Sequence, residues 1–366
     1  MLDHESGIPL YLQLKGILKN EIDLDKYKNG SFPTEFALMK TYSLSRGTVR
    51  KALSELEKEH LIDRFSGKGT FVNSNRPQKL GLFIGELTDK SGINGLGLSP
   101  KQLKGALPAL YEFHAEIEVM QAQNRVDSEK LLKRIFSGEI GIKGILMGSY
   151  LPVFDWMIGE FKAHKFPYIF MDVPMLKKDM NHVYIDPKKA AEKTMKFLLD
   201  SGRKNIGCIC LASKNPWLTP RYDGYVSSLK AAGLGAEPSL TVKLEELTEK
   251  EAASAMNTLL KKNKGLDAVY TISPTLAKGA IDFLLSKGIR VPEDISVAAV
   301  DDFESGDACA VPLTTTNLPS DKATRAAVET LLKIINGDVK TPVQREIEPE
   351  LIIRASVLIA ARPGKK

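Results

Sequence analysis

The chain holds 366 residues, with 51 Lys and Arg against 45 Asp and Glu, a formal net charge of +6. That length exceeds one ordinary domain and supplies two or three buried cores, while so mild a basic excess does not by itself point to nucleic acid. No apolar run reaches the roughly 18–20 residues of a membrane span, and the opening residues, with Asp3, His4 and Glu5, lack the basic and apolar regions of a signal peptide, so a cytoplasmic location is expected.

Residues 9–22 predict an amphipathic helix begun by Pro9, with Leu10, Leu14, Ile17, Leu18 and Ile22 as its apolar stripe. A turn rich in Lys, Asn and Gly leads to Phe32-Pro33-Thr34, where Thr34 can cap a second helix from Glu35 to about Tyr42. After a short break, Ser45 can cap a third helix running to about His60. Its first turns carry Arg46, Thr48, Arg50 and Lys51, while Val49, Leu53 and Leu56 take the buried spacing. No acidic residue lies between Lys40 and Lys51. Two helices separated by three or four residues, the second basic at its start, have the helix-turn-helix layout. A guanidinium so placed can pair bidentately with guanine in a major groove. Arg50 is the candidate for a base edge, Arg46 for base or phosphate, and Thr48 for phosphate or a thymine methyl. The alternative is an ordinary solvated helix face, and a wing directly after the helix weighs against it.

Residues 61–72 change period. Leu61 to Phe65 and Thr70 to Val72 read as strands about a tight turn, Ser66-Gly67-Lys68-Gly69. A hairpin directly after a helix-turn-helix is a wing, and Lys68 between two glycines can approach a phosphate or minor groove closely. Residues 73–79 are polar, lack periodicity and are expected to be a linker.

Beyond them, short apolar strands near 80–87, 117–122, 143–149, 167–173, 205–212, 267–272 and 295–300 alternate with amphipathic helices near 101–115, 127–137, 152–164, 188–201, 222–232, 248–262 and 275–287. Such alternation implies parallel sheets covered by helices. Seven units in this length imply two sheets and two lobes, with a ligand cleft at the carboxyl ends of the strands, between the lobes. Cys208 and Cys210 alternate on one strand and, with Cys309, read as small buried hydrophobes rather than metal ligands. His60, His114, His164 and His182 show no metal spacing, and Gly95-Leu96-Gly97 fails as a dinucleotide loop because Pro100 occupies the third glycine position. No cofactor and no catalytic constellation is indicated.

Two resemblances meet in the chain. Pro9-Leu10-Tyr11, Phe32-Pro33-Thr34-Glu35, Leu44 to Leu53 and Gly67-Lys68-Gly69-Thr70-Phe71-Val72 resemble the winged-helix domain of GntR-type regulators, with Asp25 standing where a glycine is usual. Val291 to Val297 running to Asp301-Asp302, then Pro312-Leu313-Thr314-Thr315-Thr316, Glu350 to Arg354, Gly202 to Ile206 and Arg221-Tyr222-Asp223-Gly224-Tyr225 resemble the effector domain of LacI/GalR-type regulators, related to periplasmic sugar-binding proteins. The combination is similar to arabinose-repressor-type hybrids. It implies an α+β winged helix-turn-helix domain (1–72), a linker (73–79) and an α/β two-lobed periplasmic-binding-protein-like domain (80–360) with two parallel sheets covered by helices.

The implied function is a ligand-responsive repressor of carbohydrate-utilisation genes, a homodimer on double-stranded operator DNA. By the same resemblance, Arg221 is a cleft residue that bonds the effector, and Asp186 and Asp301 match positions that face it. Trp217 can stack on a sugar ring or lie in the core. Ser273-Pro274 stands where Asn-Asp is common, which leaves one hydroxyl, and residues 86–99 depart from the usual pattern, so the effector stays open. The hinge helix of LacI proteins has no counterpart in 73–79. The rival readings are an α/β enzyme tethered to DNA and a regulator answering to a non-sugar ligand.

Overall fold

Three helices and a hairpin form the first part of the computed structural model, which describes residues 2–24, 26–27, 31–73, 77–85, 99–122, 125–148, 155–171, 178–212, 215–302 and 309–358. The helices are α1 (Leu10–Asp23), α2 (Glu35–Tyr42) and α3 (Arg46–Lys58), and the hairpin is β1 (Ile62–Phe65) with β2 (Gly69–Val72). Pro9 lies one residue before the first turn rather than within it, and its carbonyl accepts from the N–H groups of Leu12 and Gln13. Leu14, Leu18 and Ile22 of α1 pack against Val49, Leu53 and Leu56 of α3 as one buried cluster. Each such side chain contributes about 1.5–3 kcal/mol by leaving water. Ser43, in the left-handed region at φ 53°, ends α2; Ser45 then starts α3 by accepting from the Thr48 N–H at 3.2 Å. The third helix stops two residues earlier than its periodicity predicts, because His60 turns left-handed at φ 54°. Ile62 then pairs with Val72 and Phe65 with Gly69 in antiparallel register. Asp25, Gly95 and Gly97 lie outside the described residues, as do 74–76 of the linker and most of the departing stretch 86–99.

The expected linker is shorter at its far end. Gln78 and Lys79 open strand β3 (Gln78–Gly85) and pair in parallel with Ala115 and Glu116 of β4 (Ala115–Ala122). Their polar side chains read as linker, but their backbone groups belong to the sheet. The first sheet has the order β13-β7-β6-β5-β3-β4, adding β5 (Gly144–Met147), β6 (Tyr168–Met171), β7 (His182–Tyr184) and β13 (Gln344–Glu346), all in parallel. Helices α4 (Pro100–Glu112), α5 (Arg125–Phe136) and α6 (Asp155–Ala163) connect its strands.

The second sheet has the order β14-β12-β11-β10-β8-β9, made of β8 (Ile206–Leu211), β9 (Thr241–Leu244), β10 (Ala268–Thr271), β11 (Ser296–Val300), β12 (Thr314–Asn317) and β14 (Glu350–Ile352). It is parallel except for β14, which runs antiparallel to β12, so the expected all-parallel pair of sheets holds with that one correction. Its helices are α7 (Pro187–Asp200), α8 (Thr219–Ala231), α9 (Glu249–Lys262) and α10 (Pro274–Ser286). Gly224 lets α8 close on α7: a Cβ there would lie 2.6 Å from the Ala191 Cβ and 2.7 Å from the Lys188 carbonyl oxygen. Cys208, Cys210 and Cys309 are free and buried.

Each lobe thus draws on both halves of the chain. α11 (Ser320–Asn336) follows β12 of the second sheet yet packs on α4, β5, β6 and β7 of the first lobe. The chain passes between the lobes three times: from β7 to α7, from β12 to α11, and from β13 to β14. Three strands of connection at one edge define a hinge, and they place the carboxyl ends of both sheets around a shared cleft.

Candidate functional site: a basic helix start and an interlobe cleft

In the first domain, three of the residues singled out from the sequence, Thr34, Ser45 and Gly67, shape the backbone. Thr34 accepts from the Ala37 N–H at 3.2 Å and caps α2. Ser45 caps α3 and its hydroxyl lies 2.8 Å from that of Thr48, which fixes both. Gly67, at φ 74°, forms the wing turn that carries exposed Lys68 at its tip. Lys51 turns away from the leading face: its ammonium sits 3.9 Å from the centre of the Tyr11 ring. A cation over an aromatic face is already partly satisfied.

Arg46 and Arg50 are the exposed pair, with side chains 65% and 56% accessible. Both are drawn to one carboxylate, Glu35 at the start of α2. Arg46 Nε donates to it at 3.2 Å, Arg50 Nε at 3.0 Å, and Arg64 of β1 adds a third guanidinium through Nη2 at 2.8 Å. Burial works against ionising Glu35, but hydrogen bonds from Arg50 and Arg46 and the charges of Arg50 and Arg64 outweigh it, holding the carboxyl below its usual range. Helix start, preceding helix and wing therefore converge on one cationic cluster organised by an acid. Sequence reasoning did not single out Glu35 or Arg64. Glu35 lay in view as the last residue of the Phe32-Pro33-Thr34-Glu35 motif, whereas Arg64 carries only the alternation of a wing strand.

In the second domain, Arg221 and Asp301 come together. Arg221, in the first turn of α8, is buried; its Nη1 donates to the Ile272 carbonyl at 2.7 Å and its Nη2 lies 3.6 Å from Asp301 Oδ2. Its Nε has no hydrogen-bond partner among the described residues. Asp301 ends β11 with a left-handed backbone, φ 76°. Neighbouring Asp302 forms a two-pronged pair with Arg354, at 2.9 Å and 2.6 Å, which anchors Asp302. Ser273 is buried beside Ile272, but its hydroxyl caps α10 by accepting from the Leu276 N–H at 3.4 Å.

Asp186 stands at the first interlobe crossing and caps α7, accepting from the N–H groups of Lys188 at 2.8 Å and Lys189 at 3.2 Å. One of its oxygens is therefore committed to the helix. Trp217 is half-buried after Asn215, whose side-chain oxygen accepts from the Trp217 N–H at 2.9 Å.

Lys101, in the first turn of α4, was not foreseen from the sequence. It reaches across the cleft, donating to Asp301 Oδ1 at 3.3 Å, to the Asp302 carbonyl at 2.8 Å and to Asn317 Oδ1 at 3.3 Å. The available signal was positional: the first turn of a helix following a strand faces the carboxyl end of a parallel sheet. Among the described residues no helix is long and apolar enough to cross a membrane.

Residues 10–72 match the bacterial regulatory proteins of the gntR family, and residues 195–357 match the periplasmic binding protein-like domain. Residues 10–72 are thus similar to a GntR-type helix-turn-helix domain, and residues 195–357 to a periplasmic-binding-protein-like domain. It is 31% identical over 212 residues to the HTH-type transcriptional repressor CytR of Escherichia coli (strain K12), covering 58% of this chain and 61% of CytR. It is 36% identical over 166 residues to the HTH-type transcriptional repressor PurR of Haemophilus influenzae, covering 44% of this chain and 49% of PurR. The chain thus spans between about half and three fifths of the length of these curated relatives. Its fold is similar to that of the transcriptional regulator CelR solved in complex with cellobiose, with a TM-score of 0.60 at 20% identity over 89% of this chain and 100% of that one.

Proposed function

We propose that this protein is a cytoplasmic, ligand-responsive transcription repressor that binds double-stranded operator DNA as a homodimer and answers to a small sugar-type effector, in control of carbohydrate-utilisation genes. The observation that carries the reading is the exposed Arg46 and Arg50 pair at the capped start of α3, beside a glycine-flanked Lys68 on the wing and in one chain with a two-lobed cleft. The repressor relatives CytR and PurR and the cellobiose-bound CelR support the same direction.

A dimer is supported by the exposed apolar stripe of Leu103, Leu107 and Tyr111 along α4, with Val119 on the edge strand β4. Residues spaced by four share a helix face, and a twofold axis would bury the same stripe from both copies. The effector acts only by the difference in its affinity for two arrangements of the lobes.

Gel-shift titration against operator fragments tests the DNA reading. Arg50→Ala is expected to cost about 1–3 kcal/mol and to relax preference at one base position. Lys68→Ala is expected to weaken binding uniformly and to lower the salt slope by about 1. Unchanged operator binding in Arg50→Ala would remove the base-reading assignment.

A further inference from the structure

Lys101 belongs to the first lobe by its place in the first turn of α4, but its ammonium group is met by the second. It donates to Asp301 Oδ1 at 3.3 Å, to the Asp302 carbonyl at 2.8 Å and to Asn317 Oδ1 at 3.3 Å. Three acceptors match the three donors of an ammonium. They stand at the carboxyl ends of the neighbouring strands β11 and β12, and Arg354 anchors Asp302 among them through both carboxylate oxygens. The Lys101 side chain is only 23% accessible. A solvated lysine keeps its rotamers, whereas this one gives them up to bridge the lobes.

The same contact divides the Asp301 carboxylate into two unlike halves. Oδ1 accepts from Lys101 Nζ and, at 2.9 Å, from the Asp302 N–H. Oδ2 accepts no hydrogen bond among the described residues and lies 3.6 Å from Arg221 Nη2. Arg221 is buried and tied to the Ile272 carbonyl through Nη1, while its Nε has no partner among the described residues. A free acceptor thus stands beside an idle donor, the pairing that suits a hydroxyl, which both donates and accepts. Of the two donors to Oδ1, the Asp302 N–H is local and constant. Lys101 comes from the other lobe, so the orientation of the carboxylate depends on where the lobes stand.

We propose that Lys101 is an interlobe clasp and a positioning residue: it holds the lobes together in the ligand-free chain and, by taking Asp301 Oδ1, keeps Oδ2 turned to Arg221 as an acceptor. The positioning role rests on the reading of the cleft as an effector site; the clasp does not. Because one ammonium serves both, lobe arrangement and effector affinity are linked. Parting the lobes frees Asp301 to turn, so the acceptor and donor face the ligand together only while the lobes are joined.

The three native cysteines are buried, so spin labels on Lys130→Cys of α5 and Lys262→Cys of α9, both exposed, report the interlobe distance in the full chain. Without ligand, Lys101→Met is expected to raise the ratio of parted to joined lobes by about threefold to thirtyfold, the loss of one partly buried charge-assisted contact. Lys101→Arg should raise it less. Asn317→Ala removes one acceptor from the opposite side at a half-buried position and should act in the same direction, which keeps the test open if Lys101→Met does not fold. A distance distribution unchanged by the loss of the ammonium or of its acceptor overturns the clasp.

The positioning role is read with four neutral sugars, glucose, galactose, ribose and cellobiose, screened by melting temperature and titrated by calorimetry. The sugar bound by the wild type should bind about tenfold more weakly to Lys101→Met, with most of the loss recovered in Lys101→Arg. Equal affinity in wild type and Lys101→Met, or binding of none of the four, overturns that role. Operator titration without ligand separates the clasp from effector control. If the lobes part and operator affinity changes, both stand. If the lobes part and operator affinity does not change, the clasp stands and control of DNA binding by the cleft falls.

Discussion

Glu35→Gln isolates the acid that organises the basic helix start. The amide has nearly the same shape, so the perturbation is one negative charge removed from the meeting point of Arg46, Arg50 and Arg64. Exposed pairs contribute about 0.2–1 kcal/mol each, and three that share one carboxylate do not add fully; the loss of stability is expected to be about 1 kcal/mol. The effect on DNA is larger in character. Two guanidiniums that now spend their free-state time on Glu35 become available to phosphates, so nonspecific affinity rises and the log–log salt slope steepens by about 1–2 per head. Operator affinity gains less, because Arg50 loses the partner that presets its orientation. The ratio of specific to nonspecific affinity therefore falls.

The pH dependence fixes the sign. The folded Glu35 carboxyl is held below its ordinary value of 4.5, so its stabilising share is present above that value and is lost as pH falls through the lowered folded one. The wild-type advantage over Glu35→Gln should be constant from neutral pH to about 5 and vanish only in stronger acid. Fluorescence anisotropy on operator and scrambled duplexes over a salt series, paired with thermal melts over pH, reads every term. An unchanged salt slope together with an unchanged specificity ratio would refute the reasoning.

Further outcomes concern the body and its contact with the head. Gly224→Ala places a methyl against Ala191 and the Lys188 carbonyl, so α7 and α8 must part; a loss of about 1–3 kcal/mol is expected in denaturant melts, and a change under about 0.5 kcal/mol would show that the pair relaxes freely. His182 is buried, and desolvation holds its imidazole neutral by lowering its pKa against a weaker opposing hydrogen bond to the Met180 carbonyl. Its contribution is therefore present above the unfolded value of 6.5 and declines as pH falls below it; His182→Gln should flatten the melting-temperature profile between about pH 7 and 5. Gly141→Ala meets both a left-handed backbone, φ 71°, and the Asp23 Cβ at 2.6 Å; it should loosen the head from the body, seen as faster protease cleavage between residues 73 and 77.

The first domain was legible almost to the residue because each boundary has a local chemical cause. Thr34 and Ser45 cap, and Gly67 and Gly69 turn, all within four residues of the backbone they serve. The central strands of the body were legible as apolar runs. β12 was not, because Thr314, Thr315 and Thr316 look polar while lying fully buried. Their polarity is met internally: Thr316 bonds Thr194 of α7 at 2.7 Å, and Thr314 accepts from the Arg354 N–H at 3.0 Å. β13, with all three side chains exposed, offers no apolar signal.

The cleft followed the same division. Arg221 and Asp301 were found through motifs, and the structure brings them within 3.6 Å. Asp186 was singled out as a position that faces the ligand; in the structure part of its capacity goes to the helix it caps. Lys101 escaped because its partners lie some two hundred residues away, and nothing in its local sequence names them.

Coupling between head and cleft has a route other than an inserted hinge helix. Leu24 and Asp23, at the end of α1, lie directly against Gly138 and Gly141, two left-handed glycines in the connection from α5 to β5. That connection enters β5 from its amino end, whereas the cleft lies at the carboxyl end of the same strand. A parallel sheet buried on both faces transmits displacement as a body, because its close-packed core deforms little. The head is thus carried by the first lobe, and an effector has only to move that lobe about the three crossings. Lys101 is the direct tie between α4 of that lobe and Asp301, Asp302 and Asn317 of the other. In a dimer joined along the α4 stripe, loosening or tightening this tie would rotate the second lobes against a fixed pair of first lobes. Where the second lobes of such a dimer also touched across the twofold, that rotation would be resisted there and returned to the first lobes, changing the separation of the heads.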